Sequence, residues 1–177
     1  MQDAEHTLRC VFSREDIAAR VAAIGVEINS LYAEKDLMVV CVLKGAFMFF
    51  SDLMKELTVR PQIDFVRLAS YGSGMQSAGD VMLVKDVEAS LEGKHVLIVE
   101  DVIDSGHSMD FLLNLFRMRG AASLRLAVLV DKKERREVAV TPDFVGFTMT
   151  RGFIVGYGLD YAERYRELPA IYEVLPQ

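Results

Sequence analysis

The chain has 177 residues, 51% hydrophobic and 26% charged, with a formal net charge of −6. That length suits one domain with a full core, and the composition excludes a disordered or collagen-like chain. The acidic balance argues against non-specific binding to nucleic acid or anionic membranes, and neither partner is expected. The longest apolar runs, residues 37–43 and 46–50, fall far short of the ~18 residues a membrane span needs. The start, Met1-Gln2-Asp3-Ala4-Glu5, lacks the basic-then-apolar pattern of a signal peptide. Cys10 and Cys41, with the scattered His6, His95 and His107, make neither a disulfide framework nor a metal set. A cytoplasmic location is expected.

In chain order, residues 7–12 suit a short strand or an extended arm. Ser13 with Asp16 three residues on is an N-cap pattern, and Ile17, Val21, Ile24, Ile28 and Leu31 mark one face of the helix that follows. Gly25 lies inside that helix and weakens it. Residues 37–43 form a continuous apolar strand, Lys44-Gly45 breaks it, and 46–57 return as an apolar helix, the first half of a βαβ unit. Residues 63–70 alternate as a strand, with Ile63, Phe65 and Arg67 on one face. The Gly- and Ser-rich stretch 71–80 has no hydrophobic period and reads as a mobile loop. A strand is expected at 81–84, and a turn at 91–93 leads into a central strand, 96–99. The helix at 107–119 carries Met109, Leu112, Leu113 and Phe116 on one face. Further strands are expected at 123–130, 144–148, 153–157 and 171–175, with a short helix at 160–168 stopped by Pro169. No repeat or linker marks a second unit. The fold class is α/β: a mostly parallel twisted central sheet flanked by helices. One domain spans 1–177, its core at about 14–150 and a small hood lobe from 1–13 and 151–177.

The chemistry centres on the end of the 96–99 strand. Glu100 and Asp101 stand at its carboxyl end, followed by a loop with Asp104, Ser105, Gly106, His107 and Ser108 and then a helix. Such a loop offers backbone N–H groups and a helix N-terminus to an anion. Three acids within five positions would repel a plain phosphate. They fit a ligand that also presents hydroxyls, or a divalent cation that neutralises both sides; a sugar phosphate with Mg²⁺ meets both conditions. The bland alternative is an acidic loop with Ser105 or Asp104 as helix N-cap, but a cap needs one such residue, not all of them. Gly156-Tyr157-Gly158 does not open a helix after a strand, and Gly93-Lys94 precedes its strand, so neither a dinucleotide fingerprint nor a P-loop is present.

The run Val99-Glu100-Asp101-Val102-Ile103-Asp104-Ser105-Gly106 resembles the phosphoribosyl-pyrophosphate (PRPP) motif of the type I phosphoribosyltransferases, in the version of the hypoxanthine-guanine branch. Four further segments resemble that branch in its order: Val42-Leu43-Lys44-Gly45, Arg67-Leu68-Ala69-Ser70-Tyr71-Gly72, Asp131-Lys132, and residues 153–161 with Arg164 and Arg166. The resemblance implies transfer of a phosphoribosyl group from PRPP to hypoxanthine, and to guanine, with Mg²⁺ as cofactor. It implies that Glu100, Asp101, Asp104, Ser105, Gly106, His107 and Ser108 bind PRPP, with Asp104 catalytic at the purine. Leu43, Lys44, Gly45 and Arg166 would bind pyrophosphate, in a turn that often carries a cis peptide before the lysine. Ser70 and Tyr71 would ride on a closing flap. Lys132, Phe153, Ile154 and Asp160 would hold the purine, Lys132 through the 6-oxo group and Phe153 by stacking. Glu100, Asp101 and Asp160 would support metal. Arg136 would approach pyrophosphate or a neighbouring subunit, and the family commonly forms homodimers or homotetramers. Two positions depart from the commonest pattern: Ser105 replaces threonine and keeps the hydroxyl, while His107 stands where lysine or arginine is frequent, making any charge there pH-dependent. The alternatives are a xanthine-preferring transferase and a PRPP- or nucleotide-sensing RNA-binding regulator, which would need a basic face.

Overall fold

The structure is a computed structural model and describes residues 7–70 and 81–175. Twelve elements follow in order: β1 (Leu8–Phe12), α1 (Arg14–Leu31), β2 (Leu37–Leu43), α2 (Phe47–Glu56), β3 (Gln62–Ser70), β4 (Val81–Lys85), β5 (His95–Ile103), α3 (His107–Met118), β6 (Ser123–Lys132), β7 (Phe144–Met149), β8 (Ile154–Val155) and β9 (Ile171–Val174). Six strands make one sheet in the order β4-β3-β2-β5-β6-β7. All neighbours are parallel except β4, which runs antiparallel to β3. The remaining three, β1-β9-β8, form a second, antiparallel sheet from the two ends of the chain.

Sandwiching explains why β2 and β5 read as unbroken apolar runs. Leu37, Val39 and Cys41 on β2 and Leu97 and Val99 on β5 pack with α1, α2 and the small sheet. Met38, Val40 and Val42, with Val96 and Ile98, pack with Met109, Leu112 and Phe116 of α3. Helix α1 opens with the expected cap, strengthened to a capping box: Ser13 Oγ accepts from Asp16 N and Asp16 Oδ2 accepts from Ser13 N, both at 3.1 Å.

On β3 Ile63, Phe65 and Arg67 share one face as expected; it is the more open one, with Ile63 54% exposed, and Asp64 and Val66 on the other face are buried. The bland alternative, Ser105 or Asp104 as N-cap of α3, does not occur: the N-cap is Gly106, at φ 97° and without a side-chain cap bond. Four expectations need correction: the ends of β5 and β6, the helix at 160–168 and the strand at 153–157. Strand β5 runs on to Ile103, so Glu100 and Asp101 lie within it rather than after it. Strand β6, expected to end at residue 130, runs on to Lys132, so Asp131 and Lys132 are its buried last residues. Residues 160–168 are not helical. Ala162, Glu163 and Tyr165 take positive φ, Asp160 Oδ2 accepts from Glu163 N at 2.9 Å, and Gly158 N donates to Arg166 O at 2.9 Å. A side chain that bonds nearby backbone offers the chain an alternative to helix. The expected strand at 153–157 is only Ile154–Val155. No helix of the described residues is long and apolar enough to cross a membrane.

Candidate active site

The sheet changes direction of winding between β2 and β5: one leads outward to β3, the other to β6 and β7. Ligands of open α/β sheets bind beyond the carboxyl ends of strands at such a switch point. Here those ends carry Leu43-Lys44-Gly45, Glu100-Asp101 and Asp131-Lys132, three of the segments that the sequence singled out.

The segments touch. Gly45 lies so close to Asp101 that a Cβ would fall 1.6 Å from Oδ2, and a Cβ on Gly158 would fall 2.1 Å from Gly45 O. Only glycine permits either approach. The Leu43–Lys44 peptide is cis. Two adjoining clefts open at this edge. The larger, about 500 Å³, is lined by Asp101, Asp104, Lys132, Phe153, Ile154 and Asp160 among others. The smaller, about 120 Å³, is lined by Glu100, Asp104, Ser105, Gly106 and Ser108. In the larger one Lys132 Nζ lies 3.9 Å from Asp104 Oδ1, and half-exposed Phe153 stands edge-on to Tyr161, ring centres 5.4 Å apart.

The acidic pair is electrostatically frustrated. Burial, followed by the neighbouring Asp101 charge, pushes the Glu100 carboxyl well above its ordinary value. Burial raises Asp101 too, against its bonds to Glu100 and Val102 N–H and the nearby Arg166 charge. Among the described residues four buried side-chain polar atoms lack a hydrogen-bond partner: Tyr32 Oη, Glu100 Oε2, Asp104 Oδ1 and Arg166 Nε. Buried polar atoms are normally satisfied, so three vacant valences at one edge, each on a residue singled out from sequence, describe a site built for a polyoxygenated ligand. No three His, Cys, Asp or Glu among the described residues converge as a metal cage. The donor set fits Mg²⁺ held by one or two carboxylates and completed by substrate oxygens and water, with the orphaned Glu100 Oε2 as the observation that favours it. Asp160 is otherwise engaged: Arg166 Nη2 lies 2.8 Å from its Oδ1.

Sequence reasoning missed two residues, Glu163 and Glu137, and misplaced a third, Arg136, expected at pyrophosphate or a neighbouring subunit. Glu163 bridges the two cations assigned to pyrophosphate, its Oε2 2.9 Å from Lys44 Nζ and 3.2 Å from Arg166 Nη2. Glu137 meets His107 Nε2 at 2.9 Å. Arg136 does not reach outward but turns under the 103–105 loop, bonded to Ile103 O and Asp104 O. No periodicity signals such contacts, because all three residues lie in irregular segments. Of the expected flap, the Ser70 backbone ends β3 opposite Val81; Tyr71 and the rest of 71–80 lie outside the described residues.

The comparisons with known proteins agree with this architecture. The model of the phosphoribosyl transferase domain matches residues 11–162. Hypoxanthine phosphoribosyltransferase of Escherichia coli K12 is 42% identical over 173 residues, 97% of either chain. Hypoxanthine-guanine phosphoribosyltransferase of Bacillus subtilis is 43% identical over 163 residues, 92% of this chain and 91% of that one. The crystal structure of a hypoxanthine-guanine phosphoribosyltransferase from Bacillus anthracis, with HEPES in its active site, superposes with a TM-score of 0.91 at 38% identity, covering 97% of this chain and all of that one. This chain is a member of the phosphoribosyltransferase family, with the type I fold.

Proposed function

We propose that this chain salvages purines, transferring the 5-phosphoribosyl group of PRPP to N9 of hypoxanthine, and of guanine, with release of IMP or GMP and pyrophosphate. The observation that carries the reading is the trio of unpartnered buried atoms, Glu100 Oε2, Asp104 Oδ1 and Arg166 Nε, around one sheet edge. The names of the relatives just given support the same reading.

In this reading Glu100 and Asp101 accept the ribose 2′ and 3′ hydroxyls. The N–H groups of 104–108 and the Ser105 and Ser108 hydroxyls cradle the 5′-phosphate at the start of α3. Lys132 donates to the purine 6-oxo group, which excludes adenine, whose 6-amino group is itself a donor; Phe153 stacks on the ring, and the Ile154 carbonyl and Asp160 complete the base site. Asp104, 3.9 Å from Lys132, takes the N7 proton as N9 attacks C1. Lys44, the Gly45 amide and Arg166 meet the charge that develops on departing pyrophosphate. Bound Mg²⁺ would neutralise pyrophosphate charge and lower the barrier to its departure. Ser70 and Tyr71 close over the centre and keep water from C1. His107, whose Nε2 meets Glu137 Oε2 at 2.9 Å, stands beside the 5′-phosphate cradle. The enzyme acts in the cytoplasm as a homo-oligomer, a reading that the 43% exposed Phe47 on α2 supports. The single domain divides into a core of about 14–150 and a hood of 1–13 and 151–177, a division consistent with the β1-β9-β8 sheet.

The test is direct. Incubation with PRPP, Mg²⁺ and each base in turn gives IMP from hypoxanthine, GMP from guanine and nothing from adenine. No nucleotide from any base overturns the reading.

A further inference from the structure

We propose that Arg136 is a positioning residue that sets the direction of the phosphate-binding N–H groups, acting through the backbone of the 103–105 loop without touching either substrate. The inference rests on the PRPP role of that loop.

One guanidinium makes five bonds. Nε donates to Asp104 O at 3.1 Å, Nη1 to Val140 O at 2.8 Å, and Nη2 to Ile103 O at 3.2 Å, Lys132 O at 3.0 Å and Asp131 Oδ1 at 2.5 Å. The next carbonyl of the loop faces the same way, since Ser105 O accepts from Glu137 N at 2.9 Å and Val138 N at 3.0 Å. Three consecutive carbonyls, Ile103, Asp104 and Ser105, therefore point toward the 136–138 segment. The only cis peptide among the described residues is Leu43–Lys44, and in a trans peptide N–H points opposite to C=O. The N–H groups of Asp104, Ser105 and Gly106 are thus turned away from Arg136, toward the cleft that these residues line. Contact from behind is close: a Cβ on Gly106 would lie 2.7 Å from Val138 O. Left unpinned, such a loop could flip a peptide and aim a carbonyl at the ligand, replacing an attractive dipole with a repulsive one.

The same guanidinium holds Lys132 O and the buried carboxylate of Asp131. The residue assigned to the purine and the loop assigned to PRPP thus share one rigid anchor. Arg136 itself is 15% exposed in its side chain, and its planar fork can fan to several acceptors, as an ammonium cannot.

The experiment compares wild type with Arg136→Lys and Arg136→Gln, by steady-state kinetics with varied PRPP and by calorimetric titration of PRPP without base. Melting curves report folding separately. Arg136→Lys keeps a cation beside Asp131, so it is the variant that stays folded if Arg136→Gln does not. Expected is a loss of PRPP affinity on the order of 10–100-fold in the folded Lys variant, as for other residues that orient binding groups from behind. A smaller rise in base KM and a milder fall in kcat accompany it. Unchanged PRPP affinity in a folded Lys variant, with only its melting temperature lowered, overturns the proposal and leaves the proposed function standing. Wild type that makes no nucleotide is a different failure, that of the function itself.

Discussion

Strands β3 and β5 flank β2 on opposite sides, and each carries acidic side chains into the interior with opposite consequences. On β3, Asp64 is 7% exposed, yet every demand of its carboxylate is met. Oδ1 accepts from Phe65 N at 2.7 Å; Oδ2 accepts from Glu88 N at 2.7 Å and Ala89 N at 3.3 Å, with Lys85 Nζ 3.7 Å away. Burial alone would raise its pKa, but these donors and the Lys85 charge overcome it and hold the group below the ordinary carboxylate range. On β5, Glu100 and Asp101 are raised by burial, and an oxygen of Glu100 has no partner. The contrast separates a carboxylate whose bonds are all made within the fold from a pair that the fold leaves partly unsatisfied. Asp64 fixes the 86–89 turn, whereas the β5 pair costs the free protein stability that a bound diol or cation would return.

The sharpest way to break this contrast is at Asp104, whose Oδ1 is also unpartnered. Asp104→Asn removes a base and little structure, so kcat should fall by roughly 10²–10⁴-fold with PRPP affinity retained. Single-turnover kinetics with pre-bound PRPP would read this, and unchanged turnover would remove Asp104 from the chemistry. Asp64→Ala is the opposite experiment. Loss of three charge-assisted bonds to backbone N–H groups should cost about 3 kcal/mol in urea unfolding, with kcat per folded molecule unchanged. A loss of activity without a loss of stability would reverse the two roles.

How much of this was legible follows from the same physics. The bounds of β2, Leu37–Leu43, were readable because a strand buried on both faces leaves an uninterrupted apolar run. Glu100, Asp101 and Asp104 were readable because three acids following an apolar run of that kind fit no ordinary cap. Asp64 was not, since alternation put Ile63, Phe65 and Arg67 on one face without saying which face of β3 the core covers. A period of two fixes which residues share a face, not which face is buried. The helix expected at 160–168 failed for a related reason: Asp160 captures Glu163 N, and the positive φ values at 162 and 163 that this turn adopts have no apolar signature. Arg136 and Glu163 act through contacts between irregular segments, which spacing along the chain does not encode.

A subtler comparison is the response to pH. For a group lowered by folding, such as Asp64, stability is present above the unfolded value, 3.8, and is lost as pH falls through the folded one. For Glu100 the sign is opposite. The folded state holds its proton more tightly, so stability is lost as pH rises from 4.5 toward the folded value. Glu100→Gln removes that penalty. Free Gln variant should be about 1 kcal/mol more stable than wild type near neutral pH, with the gap closing below pH 4.5, and it should need more PRPP and Mg²⁺ to saturate. Chemical denaturation at several pH values measures it; a gap that is constant with pH would mean that Glu100 is ionised in the free protein.

The smallest effect concerns an anion that the chain supplies to itself. Glu163 lies against Lys44 and Arg166, and those two cations, by hydrogen bonds first, hold its carboxyl below the ordinary range. Its side chain is 65% exposed and that of Lys44 is 47% exposed, so the pair is a surface contact screened by water and salt. It nonetheless stands where the proposed function puts pyrophosphate, and an entering pyrophosphate group must replace it. Glu163→Gln removes the competing charge while keeping the shape. PRPP KM should therefore fall by about two- to five-fold at low ionic strength, the range of an exposed ion pair. The difference from wild type should shrink as salt rises. A rise in KM would instead assign Glu163 to holding Arg166 in place, making it a partner of the site like Asp160 rather than a competitor for it.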